Sequence, residues 1–146
     1  MTKRNIEDLA GICFPVIPEH IERIFKKDTI LFPKISVHNV LPLYCRKGQK
    51  LFFYKSHSNK EIIGEGTIID IKLLDFEQFK TKLNQSFLSA EEYINYVAGR
   101  IKKKIISIKI KDIFRYDEPI KLSYYVTMGG RYITKKEYLK WNTTAR

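Results

Sequence analysis

Almost none of the usual catalytic hardware is present in this sequence. It has no GxxxxGKS or GxxxxGKT phosphate loop, no GxSxG elbow, no HExxH helix and no nucleotide-binding glycine loop. These absences remove the common hydrolase and nucleotide-dependent chemistries, and no cofactor is expected. The two cysteines, Cys13 and Cys45, are far apart and outside any CxxC pair. They read as small buried thiols, since a disulfide staple is unneeded at this size and a zinc site wants more ligands. His20, His38 and His57 show neither HxH nor HxxxH spacing, so no metal site is expected. No apolar run approaches the roughly 20 residues that span a bilayer. The basic start, Met1-Thr2-Lys3-Arg4-Asn5, is not followed by an apolar stretch with a small-residue cleavage site. A cytoplasmic protein without membrane association is therefore expected. Repeats, low-complexity segments and Pro/Gly/Ser linkers are also missing, which predicts one domain over residues 1–146.

Positive charge is what the chain has in excess. Lys and Arg number 27 against 16 Asp and Glu, a net charge of +11. The excess is one-sided: residues 100–146 carry 13 basic and 4 acidic side chains (net +9), and residues 1–99 carry 14 and 12 (net +2). Such a domain attracts polyanions and gains from counterion release. The alternative is the compositional bias of a lysine-rich proteome, which the abundance of Ile and the scarcity of Gln also fit.

With 44% apolar residues the chain can build a core. Pro18 suits the first turn of a helix whose Ile21, Ile24 and Phe25 share one face. Strands are expected over Thr29–Ile35, with Pro33 marking an edge or bulge, over Leu51–Lys55, and over Glu61–Leu74. His57-Ser58-Asn59-Lys60 reads as the hairpin connection between the last two. Gly64-Glu65-Gly66 reads as a bulge or bend that lets a sheet curl. Capping boxes open helices at Asp75 with Gln78, Ser89 with Glu92, and Thr134 with Glu137. Ile106, Ile108 and Ile110 alternate with Ser107, Lys109 and Lys111 in the cleanest strand, Ile105–Phe114. Leu41–Tyr44 and Ile120–Val126 read as further strands, and Ile12–Ile17 as a short apolar stretch broken by Pro15. The sum is an α+β fold, a twisted and nearly closed sheet of about five or six strands with three to four short helices.

Two segments carry a family resemblance. Gly48-Gln49-Lys50-Leu51-Phe52-Phe53-Tyr54-Lys55-Ser56 and Ile62-Ile63-Gly64-Glu65-Gly66-Thr67-Ile68-Ile69-Asp70-Ile71 resemble the paired strands of the PUA-like superfamily, which includes ASCH and EVE/YTH domains. Met128-Gly129-Gly130-Arg131-Tyr132-Ile133-Thr134-Lys135-Lys136-Glu137-Tyr138 is similar to the ending of a small uncharacterised archaeal family of that superfamily. The resemblance covers most of residues 12–141. It implies a β pseudo-barrel whose concave cleft contacts RNA or a modified base, but fold alone does not settle function.

Candidate nucleic-acid-binding residues follow. Lys102, Lys103 and Lys104, with Lys109 and Lys111, can track phosphates, or can be a solvated strand edge. Tyr54, Lys55 and Ser56 end a strand before a loop, where Tyr54 would stack on a base; otherwise it is a core tyrosine. Gly129-Gly130-Arg131 offers close backbone approach, amides before a helix and a bidentate arginine, or simply a turn needing positive φ. Phe32-Pro33-Lys34 places Lys34 towards the same cleft. Trp141, one helical turn from Tyr138, reads mainly as core packing. Taken together, an RNA-binding module reading a modified or flipped-out base is the leading expectation.

A small ASCH-type amidohydrolase acting on acylated nucleosides is the alternative implied by the resemblance. It would use Lys26 and Thr29, which keep a K-x-x-T spacing, and a carboxylate from Glu65, Glu91 or Glu92. The glycine and arginine that usually flank that motif are absent. A protein-interaction domain is the third reading.

Overall fold

The alternation of Ile106, Ile108 and Ile110 does place one face of a strand in the core. All three are buried together inside the longest strand. The computed structural model describes residues 5–145, with side chains as far as Trp141. Its six strands are β1 (Leu9–Val16), β2 (Thr29–Ser36), β3 (Lys50–Lys55), β4 (Glu61–Leu74), β5 (Lys104–Lys121) and β6 (Arg131–Thr134). They form one mixed sheet in the order β2-β5-β4-β3-β1-β6. β1 runs parallel to β3, and every other neighbouring pair is antiparallel. The turn joining β3 to β4 places His57 and Lys60 at φ 61°, which makes it the hairpin expected there.

The helices are α1 (Pro18–Phe25), α2 (Phe76–Lys80), α3 (Ala90–Val97) and α4 (Lys135–Ala145). Pro18 sits in the first turn of α1, and the capping boxes at Asp75 and Ser89 are both formed. Thr134 and Glu137 make the corresponding reciprocal bonds at α4, at 3.1 and 3.2 Å. Apolar faces of these helices divide the core in three. Ile21 and Ile24 of α1 join the barrel interior with Phe53 and Ile108. Phe79 and Tyr93 from α2 and α3 cover Leu31 and Ile105 on the outer side of β2 and β5. Tyr138 and Trp141 of α4 cover Phe52, Tyr54 and Ile62.

The sheet curls where the two glycines of β4 lie. Its pairing with β5 shifts between Ile62 and Gly64 and again between Glu65 and Thr67. At Gly64 a Cβ would stand 2.4 Å from the Phe114 carbonyl oxygen and 2.6 Å from the Phe25 ring, so only glycine fits. The curl brings β2, at one end of the strand order, back against β1 near the other end. The Phe14 and Phe32 rings stack at 5.7 Å across the gap. The sheet stays open there, which gives a pseudo-barrel with a seam between β2 on one side and β1 with β6 on the other.

Three local expectations differ from the structure. Leu41–Tyr44 is an irregular loop, and Ile120–Val126 is not a separate strand, since β5 itself runs on to Lys121. The apolar stretch around Pro15 is a full interior strand, β1, buried along nearly all its length. β6 is only four residues long, too short to announce itself by periodicity, and it separates Gly129-Gly130 from the start of α4. Those glycines therefore do not feed a helix N-terminus.

Candidate nucleic-acid interface

Phe32 and Lys34 are two residues apart on β2, so both face the seam. Phe32 seals the barrel, and Lys34 puts a cation at its mouth. The Lys34 Nζ donates to the Met128 carbonyl oxygen at 2.7 Å and lies 4.9 Å from the centre of the Phe14 ring. Burial, and secondarily the charge of Arg100, bring the ammonium pKa down to about 8. This crossing divides the seam. On one side is a cavity of about 210 Å³ walled by Pro15, Phe32, Phe87 and Leu88, with His20 and Ser56 as its polar members. On the other is a wider cavity of about 890 Å³, bounded by Phe14, Tyr132, Arg100, Gly129, Gly130 and the loop 37–43. Lys34, Tyr96 and Met128 border both.

The groups around the cavities are held firmly. The Tyr96 hydroxyl accepts from the Ile35 amide at 3.2 Å, on the edge of β2 that has no strand partner. Burial raises its pKa. The Tyr132 hydroxyl accepts from the Tyr44 amide at 3.2 Å. His20 Nε2 lies 3.0 Å from Glu92 Oε2. The Ser89 amide first, then the side chains of Arg23 and His20, hold the Glu92 carboxyl down at about 2. An ionised carboxylate only accepts, so Nε2 is the donor to Glu92 and the ring is oriented by that bond. The arrangement is an apolar slot with one cation, one oriented imidazole and the hydroxyls of Ser56 and Tyr96. That suits a flat, partly polar ligand better than a free anion.

Of the residues expected to bind, Lys34, Ser56, Gly129 and Gly130 line the seam. Gly130 has φ 81°, and a Cβ there would stand 2.5 Å from the Phe14 ring. Tyr54 is elsewhere. It is 4% exposed and packs under α4, because strand alternation turns Phe53 into the barrel and Tyr54 out of it. Lys55 ends β3 half-buried, paired with Val16, outside both cavities. Arg131 lies on the opposite face of β6 from Tyr132, its guanidinium 3.9 Å from the centre of the Tyr124 ring. Lys103 donates to the Val37 carbonyl oxygen at 2.8 Å, and the Lys104 amide donates to Asn39 at 2.7 Å. With exposed Lys102 they stand beside the loop at the wide end of the seam. Lys109 and Lys111 pair with Leu31 and Thr29 at the far end of β2. Trp141 packs edge-on to Phe52 at 5.3 Å, in the core.

The alternative hydrolytic set is not brought together. Lys26 is exposed at the C-terminal end of α1, in a groove with Lys27 and Asn84 that neither Thr29 nor Glu65 lines. Glu65 is 1% exposed beneath α4, where it accepts from the hydroxyls of Tyr116 and Tyr138 at 2.8 Å each. Lys50 Nζ stands 3.6 Å away. Glu92 is engaged by His20 and Arg23, and Glu91 is exposed on α3. Among the described residues no group of three or more His, Cys, Asp and Glu is placed to hold a metal ion, and no helix is long and apolar enough to cross a membrane.

Residues 9–135 match a family described as a domain of unknown function, DUF365. The chain belongs to the DUF365 family. A relative is the uncharacterized protein MJECS03 of Methanocaldococcus jannaschii, 28% identical over 103 residues, covering 61% of this chain and 93% of the relative. Among solved structures the DUF365 chain is similar to ASCH from Zymomonas mobilis, with 17% identity, a TM-score of 0.77 and coverage of 94% of this chain and 96% of that one. It is also similar to the N-terminal domain of Staphylothermus marinus McrB, with 14% identity, a TM-score of 0.63 and coverage of 99% of both. These likenesses establish the ASCH/PUA-like fold.

His20, Phe87, Tyr96, Arg100, Met128 and Tyr132 belong to the seam without having been expected there. Tyr96 reads in sequence as one more apolar position of an amphipathic helix, and His20 as an isolated surface histidine. Tyr132 lies one strand position from Arg131 and borders the wide cavity, a placement that depends on the short strand β6.

Proposed function

We propose that this protein binds single-stranded nucleic acid, RNA in particular, along the seam between β2 and β1–β6, with one unpaired or flipped-out base held beside Lys34. One observation carries the reading: a half-buried cation, Lys34, stands between two aromatic-walled cavities at the only gap in the sheet among the described residues. Tyr132 and Tyr96, half-buried at the cavity walls, offer faces and edges to a base, and base–aromatic stacking tolerates any sequence. Arg100 and Lys102–Lys104 stand where the flanking phosphates would run, giving affinity but no sequence information. The net charge of +11 supplies the long-range attraction.

Fluorescence anisotropy with a labelled oligoribonucleotide tests this. If Arg100, Lys102, Lys103 and Lys104 each neutralise a phosphate, log affinity falls with log salt at a slope of about −3. Lys102→Ala combined with Lys104→Ala shallows that slope, and Lys34→Met weakens binding at every salt concentration. Wild-type affinity that ignores salt, or that Lys34→Met leaves intact, refutes the assignment.

A further inference from the structure

The loop from Val37 to Leu43 does something a buried seam does not need. Val37, Val40, Leu41 and Leu43 are between 47% and 69% exposed, and Met128 across the cavity mouth is 63% exposed. Such a loop would normally fold its apolar side chains inward. In this one the backbone is held at several points while those side chains stay exposed. Ser36 Oγ donates to the Val40 carbonyl oxygen at 2.8 Å and accepts from the Val40 amide at 2.9 Å. Asn39, at φ 57°, accepts from the Lys104 amide, and Lys103 Nζ clamps the Val37 carbonyl. At the far end the Tyr44 amide is held by Tyr132. The loop is thus tied to β5 at one end and to β6 at the other, and presents a fixed apolar ridge at the entrance of the wide cavity.

The surroundings of the ridge select its occupant. Lys102, Lys103, Lys104 and Arg100 lie beside it, and Lys34 lies behind it. A partner must therefore offer apolar flat faces and a closely spaced row of negative charges together. Stacked bases on a phosphate backbone do so. A second copy of this chain, itself strongly basic, does not.

We infer that the Val40-Leu41-Pro42-Leu43 ridge is a wedge that enters a base step and holds open the gap left when a base of a duplex turns into the seam. The inference rests on the proposed binding of a base beside Lys34 and extends it from strands already single to duplexes. Apolar side chains inserted between base steps unstack them in this way, and cations alongside hold the backbone while they do.

The test uses the full chain and a short duplex carrying one 2-aminopurine, whose fluorescence rises on unstacking. Wild-type protein raises the signal. The double variant Leu41→Ser, Leu43→Ser, on exposed positions that leave the core untouched, loses the rise and loses duplex affinity by roughly tenfold. Because both residues border the wide cavity, affinity for the single-stranded oligoribonucleotide also falls, but by clearly less than duplex affinity, and the salt slope stays as in wild type. An equal loss for single strand and duplex overturns the wedge. Duplex binding by wild type without any fluorescence rise overturns the wedge and leaves the seam assignment standing. Failure to bind either nucleic acid overturns both. Sedimentation showing a wild-type dimer that the double variant dissolves overturns the wedge in favour of a second copy on the ridge.

Discussion

Replacing Lys34 with methionine removes the charge at the centre of the seam and keeps most of its length. The structure sets the size of the effect. An ammonium that ordinarily titrates at 10.5 is brought to about 8, by burial first and by Arg100 second. Above pH 8 the folded chain has released this proton, and the unfolded chain keeps it until about pH 10.5. The unfolded state binds more protons across that window, so stability rises with pH there. The burden on the fold is present in full below pH 8 and disappears as the pH approaches 10.5. After a discount for the half-exposed position, wild type gains about 2 kcal/mol between about pH 7 and pH 10 that the Lys34→Met variant does not gain. Urea denaturation of both proteins at several pH values, compared by difference, isolates this from every other titrating group. Binding follows the opposite course. Wild type holds the oligoribonucleotide more tightly than the variant at pH 7, and the two converge near pH 9 as Lys34 loses its proton. Parallel stability curves from pH 7 to 10 would mean that the ammonium is not desolvated, and the seam would lose its distinguishing feature.

Other substitutions separate scaffold from site. Glu65→Ala removes the buried carboxylate that accepts from the Tyr116 and Tyr138 hydroxyls beneath α4, and chemical denaturation should show a loss of about 2–4 kcal/mol with nucleic-acid affinity unchanged in the protein that remains folded. Gly130→Ala forces a Cβ against Phe14 at positive φ, costing about 1–3 kcal/mol in thermal unfolding and weakening binding by deforming the wide cavity. Ser89→Ala removes a helix cap and one of the bonds that steady Glu92, and should cost about 1 kcal/mol.

Much of the scaffold could be read from residue order because its signals are local. The β5 isoleucines, the capping boxes at Asp75, Ser89 and Thr134, the hairpin at His57–Lys60 and the bend at Gly64-Glu65-Gly66 each declare themselves within a few residues. What stayed hidden depends on contacts between distant segments. β1 is recognisable only once β3 and β6 flank it, and β6 has four residues in which to show a pattern. The same limit governed the site. Tyr54 and Arg131 suit the role by type and position, and strand alternation turns Tyr54 under α4 and Arg131 to the face of β6 opposite Tyr132. Lys34 stands out in the sequence because Phe32-Pro33-Lys34 interrupts an apolar run with a cation, and the fold brings it to the border of both cavities. Its neighbours His20, Tyr96 and Met128 come from a helix, another helix and a loop, and meet only when the sheet curls.

The base-in-seam assignment is tested most directly by ultraviolet cross-linking of a bound oligoribonucleotide, with the modified peptides identified by mass spectrometry. Adducts on Tyr96, Met128 or Tyr132 are the predicted result. Adducts gathered instead on the α4 side, at Tyr124, Tyr138 or Trp141, would place the nucleic acid on the wrong face of the sheet and contradict the assignment.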